Sequence, residues 1–189
     1  MSSDIDDDPA RFRRVYADNF PLLLAYAVRR VAQPEDAADV VAETFLIAWR
    51  RHRELPPGDE ARLWLYGVAR RVLANHHRAG VRRERLGAQL RQRLTTVFAA
   101  DPGAEVPERL AVRAALARLG ELDREVLMLT GWEGLEPREA AVVLGVSAAA
   151  VRTRLSRARA RFRELAGDDL GPSGHVLDVL TAPVPKEAR

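Results

Sequence analysis

Cysteine is absent from this 189-residue chain, which excludes a disulfide framework, a thiolate metal site and a cysteine nucleophile. Lysine is almost absent as well: Lys186 is the only one, so nearly every positive charge is an arginine. Aromatic residues make up 6% of the chain against 30% charged residues, a balance that fits amphipathic helices better than a large β-sandwich. No run approaches the roughly 18 apolar residues needed to cross a bilayer. The acidic start also lacks the apolar segment of a signal peptide. The chain therefore reads as soluble and cytoplasmic, with no membrane partner. Its four histidines, His52, His76, His77 and His175, match no metal-ligand spacing, and adjacent His76 and His77 point to different faces of a helix. No metal and no other cofactor is expected.

What is present is a 47% hydrophobic content, enough for buried cores, in a length that suits two small domains better than one average one. The net charge is only +3, but its placement is uneven. Acid crowds the start at Asp4, Asp6, Asp7 and Asp8, whereas arginine clusters over 70–93 and 152–163. The planar guanidinium fork suits phosphate and guanine, which accept two parallel hydrogen bonds. Genome base composition accounts equally well for a preference of arginine over lysine.

Helical periodicity without alternating strand patterns predicts an all-α fold: two small helical domains joined by a flexible linker. Residues 1–9 read as a disordered acidic tail ended by Pro9. The first domain covers 10–92, with Pro21 and Gln33-Pro34 as breaks and helices over 35–51 and 62–78. Asp101-Pro102-Gly103 marks a linker over 93–106. The second domain covers 107–167, with helices over 108–119, 123–132, 137–144 and 148–165. An extension, 168–189, follows, in which Val176, Leu177, Val179 and Leu180 suit a short docking helix.

The third and fourth helices of the second domain carry a helix-turn-helix pattern. Pro137 suits a first helical position and Glu139 can reach back to the open N-terminus. Gly145 can take the left-handed turn, and Ser147 can cap the next helix. At 100° per residue, Val151, Leu155, Ala158, Phe162 and Leu165 form one stripe for the core. Arg152, Arg159 and Arg163 line one flank, and Arg154, Arg157 and Arg161 the other. The opposite face carries only Ala149, Thr153, Ser156 and Ala160, small enough to let the backbone approach a major-groove floor. The candidate duplex-reading residues are thus Ser147, Ala148, Ala149, Arg152, Thr153, Arg154, Arg157 and Arg159, those near the helix start reading bases and the later arginines positioning. The competing reading is a solvated, arginine-rich helix held by pairs with Glu164.

Within 35–51, Ala37, Val41, Thr44, Phe45 and Ala48 follow core spacing, and Asp36, Asp39 and Glu43 form an acidic stripe continued by Leu46 and Ile47. Carboxylates beside exposed apolar groups suit a basic protein surface; they equally suit the positive end of a helix dipole. A cation held by this stripe needs further oxygen ligands from elsewhere. In 62–78, Leu65, Val68, Ala69, Val72 and Leu73 suit the core, leaving Trp64, Arg71, Asn75 and Arg78 along one flank and Tyr66, Arg70 and His77 along the other. Aromatic faces, amide donors and guanidinium groups are what an unpaired base requires, although Trp64 and Tyr66 also suit the edge of a core. Arg82, Arg83, Arg85, Arg91 and Arg93 extend the basic track.

Three stretches resemble the extracytoplasmic-function (ECF) group of bacterial sigma factors, within the sigma-70 family of RNA polymerase subunits. The segment from Pro34 to Trp49 is similar to the family's polymerase-binding helix, Leu63 to Arg71 to its promoter-melting helix, and Leu119 to Arg163 to its minus-thirty-five-reading domain. The resemblance implies that Asp36, Asp39, Glu43, Leu46 and Ile47 dock on core RNA polymerase at its clamp helices, and that the flap is a further polymerase contact. It implies that the loop 56–61 with Trp64, Arg70, Arg71, Asn75 and Arg78 meets the melted minus-ten strand. Asp101 and Glu105 would lie in a linker threading toward the polymerase active centre. Promoter DNA, duplex and melted, and an anti-sigma factor are the further partners it implies. Arg71, where members often carry Asn, and Glu136, where they often carry Ser or Thr, depart from the pattern. The residues leave a stand-alone helix-turn-helix regulator as the alternative, although no dimerising heptad is visible. No catalytic residue is assigned.

Overall fold

A computed structural model describes residues 7–31, 33–91 and 107–166; of 7, 8, 34, 79–91 and 107–110 only the backbone is described. The described residues contain seven α-helices and one short 3-10 turn, with no strand among them. The helices are α1 (Asp7–Val28), α2 (Pro34–Arg50), α3 (Glu60–Arg91), α4 (Pro107–Ala117), α5 (Glu121–Gly131), α6 (Pro137–Leu144) and α7 (Ala148–Ala166). The chain divides into two compact units between residues 98 and 99. Residues 1–6, the expected linker 93–106 with Asp101 and Glu105, and the expected extension 168–189 lie outside the described residues.

In the first unit, α1, α2 and α3 pack against one another. Its interior is apolar: Leu23, Tyr26, Val40, Leu65, Val68 and Val72 are almost fully enclosed. Two polar side chains are also buried, Asn19 and Thr44. Each donates to the carbonyl four residues back, Asn19 Nδ2 to Val15 O at 2.8 Å and Thr44 Oγ1 to Val40 O at 2.7 Å, so neither loses its hydrogen bond on leaving water.

Most helix ends lie within two residues of the sequence expectation, and three features depart from it further. The helix begins at Asp7, so Asp7, Asp8 and Pro9 belong to α1 and not to the tail. Acid in a first turn complements the helix dipole, and a proline there gives up an N–H that has no partner anyway. Pro21 does not break the chain but lies inside α1. Pro21 and Ala17, whose carbonyl loses its amide partner, are both exposed, so water can serve the freed carbonyl while the buried side holds the helix together. Finally, α3 runs on to Arg91, well past the expected end at 78, through a segment rich in strong helix formers.

In the second unit α7 packs against α4, α5 and α6 and supplies the central stripe, in which Val151, Leu155, Ala158 and Phe162 are buried. The stripe ends on Ala166, which is buried, and not on Leu165, which is half-buried, because Ala166 lies one turn beyond Phe162. Leu73 of α3 is likewise only half-buried.

Gly145 ends α6 at φ +68, and a Cβ there would meet no atom within 4 Å, so only the left-handed backbone opposes a side chain. Gly145→Ala is expected to destabilise the chain by about 1–2 kcal/mol. Gly145→Asn should lose less, because asparagine tolerates that conformation. Urea denaturation of the three proteins checks the order; equal stability of Gly145→Ala and the parent would contradict it.

Candidate nucleic-acid and protein interfaces

The turn between α6 and α7 is built by local chemistry. Glu136 precedes α6, and its N–H donates to Glu139 Oε2 at 2.8 Å, while its own carboxylate lies 2.9 Å from Arg138 Nε. The departure at Glu136 therefore leaves the reach-back from Glu139 intact. After Gly145, the Ala150 N–H donates to Ser147 Oγ at 3.1 Å and caps the first turn of α7.

Rotation of α7 is then set by its buried stripe. Ala149, Thr153, Ser156 and Ala160 all face outward, as the periodicity predicts. The Thr153 hydroxyl donates to Ala149 O at 3.1 Å, which leaves the Thr153 oxygen's lone pairs outward as an acceptor. Six arginines flank this face. Arg152 and Arg157 are exposed and have no hydrogen-bond or ion-pair partner among the described residues. Arg159 is half-buried, and burial, reinforced by the charge of Arg163, pushes its guanidinium below the ordinary arginine value. Arg154 and Arg161 are engaged within the protein. Arg154 Nη1 lies 3.0 Å from Asp123 Oδ1 of α5, and Arg161 Nη1 lies 2.9 Å from Glu164 Oε2. Ser147, Ala148, Ala149, Arg152, Thr153, Arg157 and Arg159 therefore share one outward surface, whereas Arg154 is tied down on its flank.

In the first unit, Trp64 is half-buried and the guanidinium carbon of Arg51 lies 5.7 Å from its ring centroid. Arg51 is held by Glu54, whose Oε1 accepts from Arg51 Nε at 2.9 Å; that hydrogen bond lowers the Glu54 pKa and raises that of Arg51. Further along α3, Arg71, Asn75 and Arg78 are exposed on the flank that Trp64 begins, with Arg70 half-buried on the other. Arg78 Nη2 donates to Asn75 Oδ1 at 2.7 Å, so the Asn75 amide turns its two donors outward. Tyr66 is not on this surface. It is buried with its ring centroid 4.9 Å from that of Tyr26, which decides for core packing between the two readings left open.

Sequence reasoning missed the residue that shapes the loop ahead of α3. Arg11 of α1 donates through Nη2 to Leu55 O at 2.6 Å and Pro56 O at 2.9 Å. Gly58 then turns at φ +57, and Ala61 N and Arg62 N bond back to Gly58 O and Asp59 O, each at 3.2 Å. No local signal pairs Arg11 with carbonyls more than forty positions away.

On α2, Asp39 and Glu43 are exposed, Asp36 and Ile47 half-buried, and Leu46 is 48% exposed. Trp49, absent from the expected set, is 47% exposed and extends this ridge, edge-on to Phe12 with centroids 5.0 Å apart. Its signal was the spacing of three from Leu46. Among the described residues no three histidine or carboxylate side chains converge as metal ligands do, and no helix is long and apolar enough to cross a membrane.

Comparison with known proteins finds two family matches: Sigma-70 region 2 over residues 15–83 and Sigma-70, region 4 over residues 109–162. The chain is 37% identical over 158 residues to the RNA polymerase sigma factor CnrH of Cupriavidus metallidurans, covering 77% of this chain and 82% of the relative. It is 30% identical over 151 residues to the ECF RNA polymerase sigma factor SigL of Mycobacterium tuberculosis, covering 78% and 84%. Among solved structures, CnrH in complex with the cytosolic domain of CnrY matches with a TM-score of 0.58 at 26% identity, over 82% of this chain and 86% of that one. The Bartonella quintana sigma factor RpoE, solved with the anti-sigma factor NepR, shares the fold with a TM-score of 0.59 at 24% identity, over 82% of this chain and 96% of that one.

Removal of the hydroxyl in Ser147→Ala is expected to lower stability by about 1 kcal/mol. Ser147→Asp restores the cap but places a negative charge at the start of α7. Thermal unfolding should therefore rank Asp close to Ser, while duplex binding falls for Asp; unchanged duplex binding by Ser147→Asp would place DNA elsewhere.

Proposed function

The chain belongs to the sigma-70 family of RNA polymerase sigma factors, in its ECF group, and from that membership we propose how its two units share the work of transcription initiation. Its role is that of a sigma factor: a non-enzymatic subunit that directs core RNA polymerase to promoter DNA. The work is cytoplasmic, where chromosome and polymerase meet.

In this reading 10–92 binds polymerase and the minus-ten element, 93–106 links, and 107–167 reads the minus-thirty-five element. Ala148, Ala149, Arg152 and Thr153 face the base edges, while Ser147 caps the helix and Arg157 and Arg159 hold the phosphates. Trp64, Arg70, Arg71, Asn75 and Arg78 receive the melted minus-ten strand. Trp64 offers a ring for stacking, Asn75 two donors for a base edge, and the arginines charge for the phosphates. Capture of an unstacked base offsets the few kcal/mol lost on extruding it, so no covalent step is needed. Asp36, Asp39, Glu43, Leu46 and Ile47 dock on the clamp helices, their carboxylates steering toward a basic surface and the apolar pair filling its centre. The second unit meets the flap. CnrH is seen in complex with the cytosolic domain of CnrY, and RpoE with the anti-sigma factor NepR; an anti-sigma factor is a fitting partner here.

The observation that carries this reading is the geometry of α7: a buried stripe, a small outer face and arginine flanks, started by Gly145 and Ser147. Run-off transcription with purified core polymerase on genomic fragments tests it. Addition of the chain should yield discrete, promoter-specific transcripts. Tight binding to a palindrome by the chain alone, with no transcripts on adding core, would instead identify a stand-alone regulator.

Two substitutions separate the surfaces. Arg152→Ala should weaken promoter binding by about 1–3 kcal/mol and relax preference at one base pair of the upstream element, as read by binding to single-base promoter variants. Equal loss on every sequence would make Arg152 a phosphate contact. Reversal of charge at Asp36, Asp39 and Glu43 to lysine should abolish co-migration with core polymerase on gel filtration; retention of assembly would remove this ridge from the interface.

A further inference from the structure

The arginines of α7 differ in what already holds them. Arg157 is exposed with no partner among the described residues, whereas Arg154, on the same flank, lies with Nη1 3.0 Å from Asp123 Oδ1. Asp123 stands in the first turn of α5, 31 positions earlier, so this ion pair crosses between two packed helices. It differs in kind from Arg161 with Glu164, whose partners lie three apart on α7 itself and move with it. Both side chains of the crossing pair are partly enclosed, 43% and 34% exposed, which shields them from salt more than a fully exposed pair.

We propose that the Asp123 carboxylate stands in for a DNA phosphate at Arg154. Arg154 is thereby a positioning residue, which fixes α7 against α5, and not a phosphate contact. The inference rests on reading α7 as the helix that enters promoter DNA. Carboxylate and phosphate compete for the same guanidinium fork, and a guanidinium already neutralised displaces no counterion from the duplex. Since sequence-independent affinity is almost wholly this counterion term, Asp123 lowers the grip of the unit on arbitrary DNA and leaves base readout by the start of α7 to decide where it stays.

The test is the salt dependence of DNA binding by holoenzyme, reconstituted from core polymerase and the full chain, on a promoter fragment and on an unrelated duplex. Each phosphate contact contributes a slope of about 0.9 to log K against log salt. R157Q, the reference, should flatten the slope by about 0.9. R154Q should leave it at the parent value. D123N, which keeps shape but removes charge, should steepen it by about 0.9, a change of about 3.5-fold in relative affinity between about 200 and about 50 mM salt, on both duplexes alike. The double variant should return to the parent slope. Flattening by R154Q to the extent seen for R157Q overturns the proposal, as does an unchanged slope for D123N that melts like the parent. If D123N does not fold, R154Q against R157Q decides alone. Failure of the underlying reading looks different: R157Q, R154Q and R152A would then all leave promoter binding as it was.

Discussion

A unit of four short helices has little interior, and the physical constraint on this one is that α7 must be both its central rod and its outer working surface. The stripe from Val151 through Phe162 to Ala166 meets this demand by confining every buried contact to one side of the helix. Burying Phe162 alone is worth on the order of 2–3 kcal/mol of transfer free energy. That gain is available only when the helix lies at one rotation about its axis. The same rotation turns Ala149, Thr153, Ser156 and Ala160 outward. Stability and presentation are thus a single geometric condition, and a sequence that satisfies the first meets the second without further contacts.

Electrostatics works by subtraction in the same unit. Six guanidinium groups on one helix repel one another, and at Arg159 the charge of Arg163 adds to the burial that mainly depresses its value. Glu164 and Asp123 each neutralise one of them. The charge left for a partner is smaller than the arginine content suggests, and it runs along the helix from Arg152 to Arg163. On α2 the sign is opposite. Asp36, Asp39 and Glu43 share a ridge with Leu46 and Trp49, so repulsion keeps the polyanion off a surface whose apolar centre suits protein. Surfaces of opposite sign, one on each unit, also lower the chance of one partner occupying the other's place.

Legibility in the sequence followed the range of the interaction. Gly145, Ser147 and the stripe of α7 are local, each within one helical turn of what it governs, and they were visible as spacing. Helix ends were less so. Pro21 carries a strong breaking signal, yet it lies inside α1 because Leu23 and Tyr26 beyond it are buried and Phe12, Tyr16 and Phe20 before it pack around Phe45 of α2. Tertiary burial outweighs one lost hydrogen bond there. The extent of α3 past 78 was hidden because its later residues favour helix by propensity, with no apolar period to mark them. The tethers from Arg11 to the loop before α3 and from Asp123 to Arg154 were not legible at all, since nothing in a one-dimensional pattern pairs a side chain with a carbonyl 44 positions away or with a carboxylate 31 positions away.

The rotation argument extends to α3 and explains why its two aromatic residues, only two positions apart, have opposite fates. A step of two turns a helix by about 200°, so Trp64 and Tyr66 cannot both be buried on one side. Tyr66 packs at a tilt against Tyr26 in the core, beside the Arg30 guanidinium 3.6 Å from the Tyr26 centroid. That anchor, far larger than an alanine or valine, sets the angle at which Trp64, Arg71, Asn75 and Arg78 leave the opposite side. Arg11, pinning the preceding loop, sets where the helix begins. On the proposed reading, a strand captured on this surface would meet groups whose backbone is already placed by residues it never touches, and the binding free energy that ordering them would otherwise absorb would remain for holding the base.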